Sequence, residues 1–231
     1  MPWRRAVSRV LGLLGVLSAT GRAQTITLDA GTFTVSERAR VVGREQFSLT
    51  RAAAGTGWSL ELRSDAAWGD DQINWRLQVD STGRPISARR ELRHAGQITA
   101  RATGAQSRGR FATLWRDGQR EAAREFALSA STVVLDQLLV HPLAMAARRL
   151  GMEPTGQAIT LDGSASAPLR RIGTVADDSV QIAGVRLPAR LTVLLWKSDT
   201  VRVWADPADR VLAVELPRLG RRAVRDDPPA R

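Results

Sequence analysis

The chain has 231 residues, 43% of them hydrophobic and 25% charged, a balance that supports one globular domain, at most two, and excludes general disorder. It has no cysteine, which excludes a disulfide framework, a thiol nucleophile, a zinc–thiolate site and a cysteine for lipid attachment. The net charge of +11 comes from arginine, with Lys197 the only lysine; these arginines are scattered instead of gathered in one block, which argues against nucleic acid as a partner.

Residues 1–23 read as a secretory signal. Arg4, Arg5 and Arg9 precede the apolar run Val10 to Leu17, and Gly21-Arg22-Ala23 offers small residues for a signal peptidase. The apolar run is too short for the ~20 residues a spanning helix needs, so the expectation is export without a stable membrane span, to a bacterial periplasm or beyond. Setting aside Arg4, Arg5, Arg9 and Arg22 lowers the charge from +11 to +7. That excess fits either solvated strand faces or an anionic partner such as a lipid head group.

From residue 24 to 220 the sequence predicts a single domain dominated by period-two alternation. In Gln72 to Asp80, Ile73, Trp75, Leu77 and Val79 fall on one face and Gln72, Asn74, Arg76, Gln78 and Asp80 on the other, as in a half-buried strand of an antiparallel sheet. Phe47 and Leu49, then Trp58, Leu60 and Leu62, alternate in the same way. Turn signals separate these runs at Gly55 to Gly57, Ser81 to Gly83, Ala95-Gly96, Gly104 to Gly109 and Asp117-Gly118, the last being the strongest hairpin signal. Connections this short hold no crossover helix, so the strands up to Ser129 form a meander.

One long apolar segment interrupts the pattern, Ser131 to Pro154, and it predicts the one substantial helix within 131–151. Pro142 suits a first helical position, Leu143, Ala146, Ala147 and Leu150 recur at helical spacing, and Arg148 and Arg149 fall in the last turn. Gly151 is expected as a left-handed stop. Strands then resume and end in a hairpin, Val201 to Trp204 and Val211 to Leu216, around Asp206-Pro207; residues 221–231 lose the alternation and read as a flexible tail. In total about eleven strands and one helix are expected. Such a mainly β chain makes a strongly curved antiparallel meander or an incomplete barrel, with the helix over the concave face.

Catalytic chemistry finds little support. There are two histidines, no Gly-x-Ser-x-Gly elbow, no phosphate loop and no dinucleotide fingerprint. His141 lies five residues after Asp136, and a hydrolase using that pair is the lowest-ranked alternative; His94 reads as an exposed turn residue. No metal or cofactor is expected, because the adjacent pairs Asp70-Asp71, Asp177-Asp178 and Asp226-Asp227 sit where aspartate serves turns or termini. Trp58 and Trp75 lie on apolar faces, as core residues do, while Trp196 and Trp204 fit either packing or a ligand mouth.

The order of signal, meander, internal helix, further strands and the closing hairpin VRVWADPADRVLAVELP, with Trp204, Asp206 and Pro207, resembles exported bacterial proteins of uncharacterised families. The layout is also similar to the half-barrel of LolA- and LolB-type lipoprotein carriers. The resemblance implies a periplasmic half-barrel that handles acyl chains or another apolar ligand. The expected function is therefore non-catalytic binding of an apolar or amphiphilic ligand, with Leu139, Leu143, Ala146 and Leu150 of the helix and Trp75, Trp115 and Trp204 of the sheet as walls. The alternative is an envelope assembly protein that binds a protein partner through its sheet surface.

Overall fold

The computed structural model describes residues 25–55, 57–161 and 166–230, so the expected signal at 1–23 lies outside the described residues. Its strands are β1 (Thr25–Glu37), β2 (Arg40–Ala54), β3 (Gly57–Trp68), β4 (Asp71–Asp80), β5 (Pro85–His94), β6 (Gln97–Ser107), β7 (Arg110–Asp117) and β8 (Arg120–Ala127). After these come β9 (Thr132–Leu135), the helix α1 (His141–Leu150), β10 (Thr155–Thr160), β11 (Ala167–Ile182), β12 (Val185–Trp196), β13 (Asp199–Ala205), β14 (Val211–Leu216) and β15 (Arg221–Arg225).

All fifteen strands belong to one sheet, in the order β8 to β1, then β15 back to β9. Two meanders are thus joined where β1 pairs with β15, with Val35 opposite Ala223. Every pairing is antiparallel except β9 with β10, which are parallel and linked through α1, the one crossover the chain contains among the described residues. The sheet does not close by hydrogen bonds. It curls until β9 comes against β5, while β8 remains a free edge carrying Arg120, Glu121, Arg124 and Glu125, charges that discourage pairing with another chain.

Several hairpin turns take the backbone the strand twist demands. Ala95-Gly96, Arg108-Gly109 and Ala183-Gly184 have positive φ at both residues, which matches the right-handed twist of the flanking strands. Gly104, expected in a turn, lies inside β6; a Cβ there would stand 2.4 Å from Cε1 of Phe111. The ring of Phe111 occupies the place of a side chain.

The alternation read in β4 is the one observed: Ile73, Trp75, Leu77 and Val79 are all buried and point into the concave side. They form one inner core with Leu49, Leu62, Ala102 and Phe111, closed from above by Val134, Leu139, Ile159 and Leu161. A second inner core packs Phe33, Val35 and Phe47 with α1 and the strands β11 to β15. The segment from β9 through α1 to β10 bridges both, because Leu139 enters the first and Leu143 and Leu150 the second.

Three expectations are corrected by this architecture. The first part of Ser131–Pro154 is the strand β9, not helix, since Thr132 to Leu135 pair with Gln157 to Thr160. Gly151 ends α1 at φ −58, a right-handed conformation and not the expected left-handed stop, with its N–H still donating back to the carbonyls of Ala147 and Arg148. Residues 221–225 of the expected tail form β15, a central strand. Two of its arginines point inward and the third, Arg222, is exposed: Arg225 bonds Asp29 at 2.8 Å, and Arg221 bonds Glu37 and lies over the Trp68 ring at 4.7 Å. Gly31 makes this possible, because a Cβ there would stand 3.0 Å from the Arg225 guanidinium.

Candidate functional site

The ten residues of α1 are too few to be stable as an isolated helix, so the helix needs tertiary support. Val140, at the cap position just before it, offers no capping side chain. The cap comes from the sheet instead: the carboxylate of Glu45, on β2, accepts the backbone N–H of Val140 at 2.7 Å and that of His141 at 3.1 Å. Glu45 is fully buried, and burial pushes its carboxyl up to about 7, although hydrogen bonds from Val140, Ser64 and His141 pull the other way.

His141 sits beside it with its ring 4.5 Å from that of Phe47 and its Nδ1 3.5 Å from the Ser64 hydroxyl. Burial holds its pKa down to about 3, with the Arg225 charge adding to the effect, so the ring is neutral at ordinary pH. Asp136 does not orient it. That carboxylate pairs with Arg90 at 2.5 Å, both side chains buried, and accepts the N–H of Leu138. These two polar contacts pin the link between β9 and α1 into the bowl.

With its N-terminus fixed, α1 lies over β11 to β14 and leaves a gap on its other flank. Between that flank, β9 and the concave face of β3 to β5 is a cavity of about 350 Å³. Its floor is apolar: Leu60, Leu62, Leu77, Val79 and Pro85 from the sheet, Val134 from β9, and Pro142, Met145 and Ala146 from the helix. The mouth carries Trp58, 39% exposed, Met152, 74% exposed, the turn Ser81 to Gly83, and the two arginines Arg148 and Arg149. A much smaller void of about 30 Å³ lies on the opposite flank of α1, beside His141 and Leu49; it has room for about one water molecule.

Of the residues expected to wall a ligand space, Ala146 lines this cavity. Leu139, Leu143 and Leu150 turn into the packed cores and are 1% exposed or less. Trp75 is buried in the floor's own core with an unpartnered Nε1, and Trp115 packs at the margin of that core. Trp204 is elsewhere. Bulges in β11 near Gly173 and Asp178 fold the β11–β12 hairpin over the other side of β13 and β14, where Trp204 joins Val180, Ile182 and Leu212 in a third core. Trp58, read as a core residue, stands instead at the cavity mouth. Met145, Arg148, Arg149 and Met152 were missed as lining residues. Helical period places them on a face but does not say which face meets a void.

Among the described residues, no group of three or more His, Asp or Glu side chains is placed to hold a metal ion, and no helix is long and apolar enough to cross a membrane. The fold and cavity define a class, an open β half-barrel with one helix laid across its bowl. Among solved structures, the chain is similar to a beta-barrel-like protein of domain of unknown function DUF1849 from Brucella abortus. The identity is 5% and the TM-score 0.46, over 88% of this chain and 97% of that one. No family model and no curated protein matches the chain.

Proposed function

We propose that this is an exported, non-catalytic binding protein that holds an apolar or amphiphilic ligand in the bowl of its sheet. The observation that carries this reading is the cavity of about 350 Å³ with its apolar floor, more than ten times the volume of the void on the opposite flank of α1. Cavities that take small ligands run from about 300 to 1,000 Å³ and are mainly apolar with few polar groups at the rim. The burial of His141, 1% exposed, supports a non-catalytic role, since a general base must reach its substrate.

The test uses a neutral fluorescent probe, N-phenyl-1-naphthylamine, titrated into the purified protein. Saturable binding is expected, and Ala146→Phe, which projects a ring into the cavity, should abolish it while the variant keeps its circular dichroism spectrum. Binding unaffected by that ring places the probe elsewhere and defeats the proposal, as does the absence of binding.

A further inference from the structure

We infer that the cavity takes a single-chain amphiphile with an oxyanion head, its chain over Leu62, Leu77 and Val79 and its head between Arg148 and Arg149. This rests on the binding reading above and names the ligand class for that site. Three observations carry it.

The first is size. At roughly 30 Å³ per water-sized group, 350 Å³ admits about a dozen such groups, enough for one medium-length chain and not for a pair.

The second is charge. Arg148 and Arg149 both reach the cavity, and neither meets a carboxylate among the described residues. The one acidic side chain at the cavity edge, Asp209, already accepts from Arg190. The buried arginines of the sheet among the described residues, Arg90, Arg221 and Arg225, all have acidic partners. A helix C-terminus favours cations by itself, which accounts for the residue types but not for a buried donor left without an acceptor.

The third is that unmet donor. Arg149 donates through Nη2 to the carbonyl of Ala130, yet its Nε is buried with no partner, and a buried N–H without an acceptor is costly. The guanidinium lies against Gly83, whose φ of +80 is a turn conformation that favours glycine; a Cβ there would stand 3.4 Å from Nη1, in ordinary contact. Arg149 thus stands at the mouth with a guanidinium only partly satisfied; its buried Nε does not open on the cavity, so a head group there meets the charge and the Nη edge of the group. Carboxylate and phosphate heads share that chemistry.

The experiment is calorimetric titration at pH 8 with decanoate, decyl phosphate, decanol and decyltrimethylammonium, each below its micelle concentration. One or both anions should bind at least about tenfold more tightly than decanol, the scale of a charge-assisted hydrogen bond, and the two anions between them separate a fatty-acid head from a phosphate head. Raising the salt should weaken the anions and leave decanol unchanged. Arg148→Gln, at an exposed position, should reduce the preference, and Arg149→Lys should keep most of it. Equal affinity for decanoate, decyl phosphate and decanol overturns the head-group assignment while the cavity reading stands. Tightest binding of the cation overturns it outright. Failure of all four chains together with the neutral naphthylamine removes both readings.

Discussion

The carboxylate of Glu45 stands 2.7 Å from the backbone nitrogen of Val140, so the helix over the bowl is capped by a residue from a strand 95 positions earlier in the chain. Sequence-local capping would fix the helix to its own flanking loop; this cap fixes it to the sheet. The position of α1, and with it one wall of the cavity, therefore depends on an acid buried next to a neutral histidine.

The two groups oppose each other as pH changes. Glu45 rises from 4.5 to about 7 on folding, so the folded state holds a proton that the unfolded state has lost; its contribution is complete below pH 4.5 and is lost as pH rises to 7. His141 falls from 6.5 to about 3, so its contribution is present above 6.5 and is lost as pH falls towards 3. Each effect amounts to about 3 to 5 kcal/mol, and between pH 4.5 and 6.5 they nearly cancel. Urea midpoints of Glu45→Gln should rise across that window relative to wild type, and those of His141→Phe should fall. Slopes that stay parallel to wild type in both variants would show that neither group titrates with folding.

The pair Arg90–Asp136 holds the start of the crossover against β5, with side chains 7% and 4% exposed. Removing one charge leaves the other buried and alone, at a cost of about 3–5 kcal/mol. Asp136→Asn should therefore destabilise by that amount, and Arg90→Met with Asp136→Leu should recover much of it, because a packed apolar pair avoids the desolvation. Chemical denaturation of the three variants measures this, and a double variant no more stable than Asp136→Asn would count against it.

The sequence made the sheet legible where alternation was uninterrupted, as in β4, because burial of one face is a local constraint. It hid β15 because Arg221-Arg222-Ala223-Val224-Arg225 reads as a solvated tail. Arg221 and Arg225 are buried by virtue of Glu37 and Asp29, 184 and 196 residues away. The cavity was half legible for a related reason. Leu143 and Leu150 announce an apolar helical face, but the gap lies beside Ala146 and Met145, and only the stacking of β9 against β5 decides that. Trp204 could not be placed without knowing that β11 bends at its bulges.

That bend is tied to β13 by the Trp204 Nε1–H donating to Asp178 at 2.8 Å, and the bond holds the Asp178 carboxyl below its usual range. Trp204→Phe keeps the ring area but loses the donor, with a global cost of about 1 kcal/mol or less. The expected signature is local: faster amide exchange at the far end of the β11–β12 hairpin, near Val180 and Leu187, with naphthylamine binding unchanged. Loss of binding would tie the outer core to the cavity, contrary to their separation on opposite sides of the sheet.

Phe111 packs directly over Gly104 in the inner core. A methyl group at Gly104 would stand 2.4 Å from Cε1 and 2.5 Å from Cζ of the ring, and Leu161 closes the remaining side at 3.3 Å. The ring has no free direction, so Gly104→Ala should cost about 1–3 kcal/mol by overpacking. Phe111→Leu alone costs stability by removing buried ring area. Combined, the shorter side chain makes room for the methyl, and the double variant should be more stable than the sum of the two losses predicts, by at least about 0.5 kcal/mol, the threshold for coupling between touching residues. Strictly additive urea midpoints would mean that the ring and the glycine do not share the space, and that β6 and β7 have slack where they face each other.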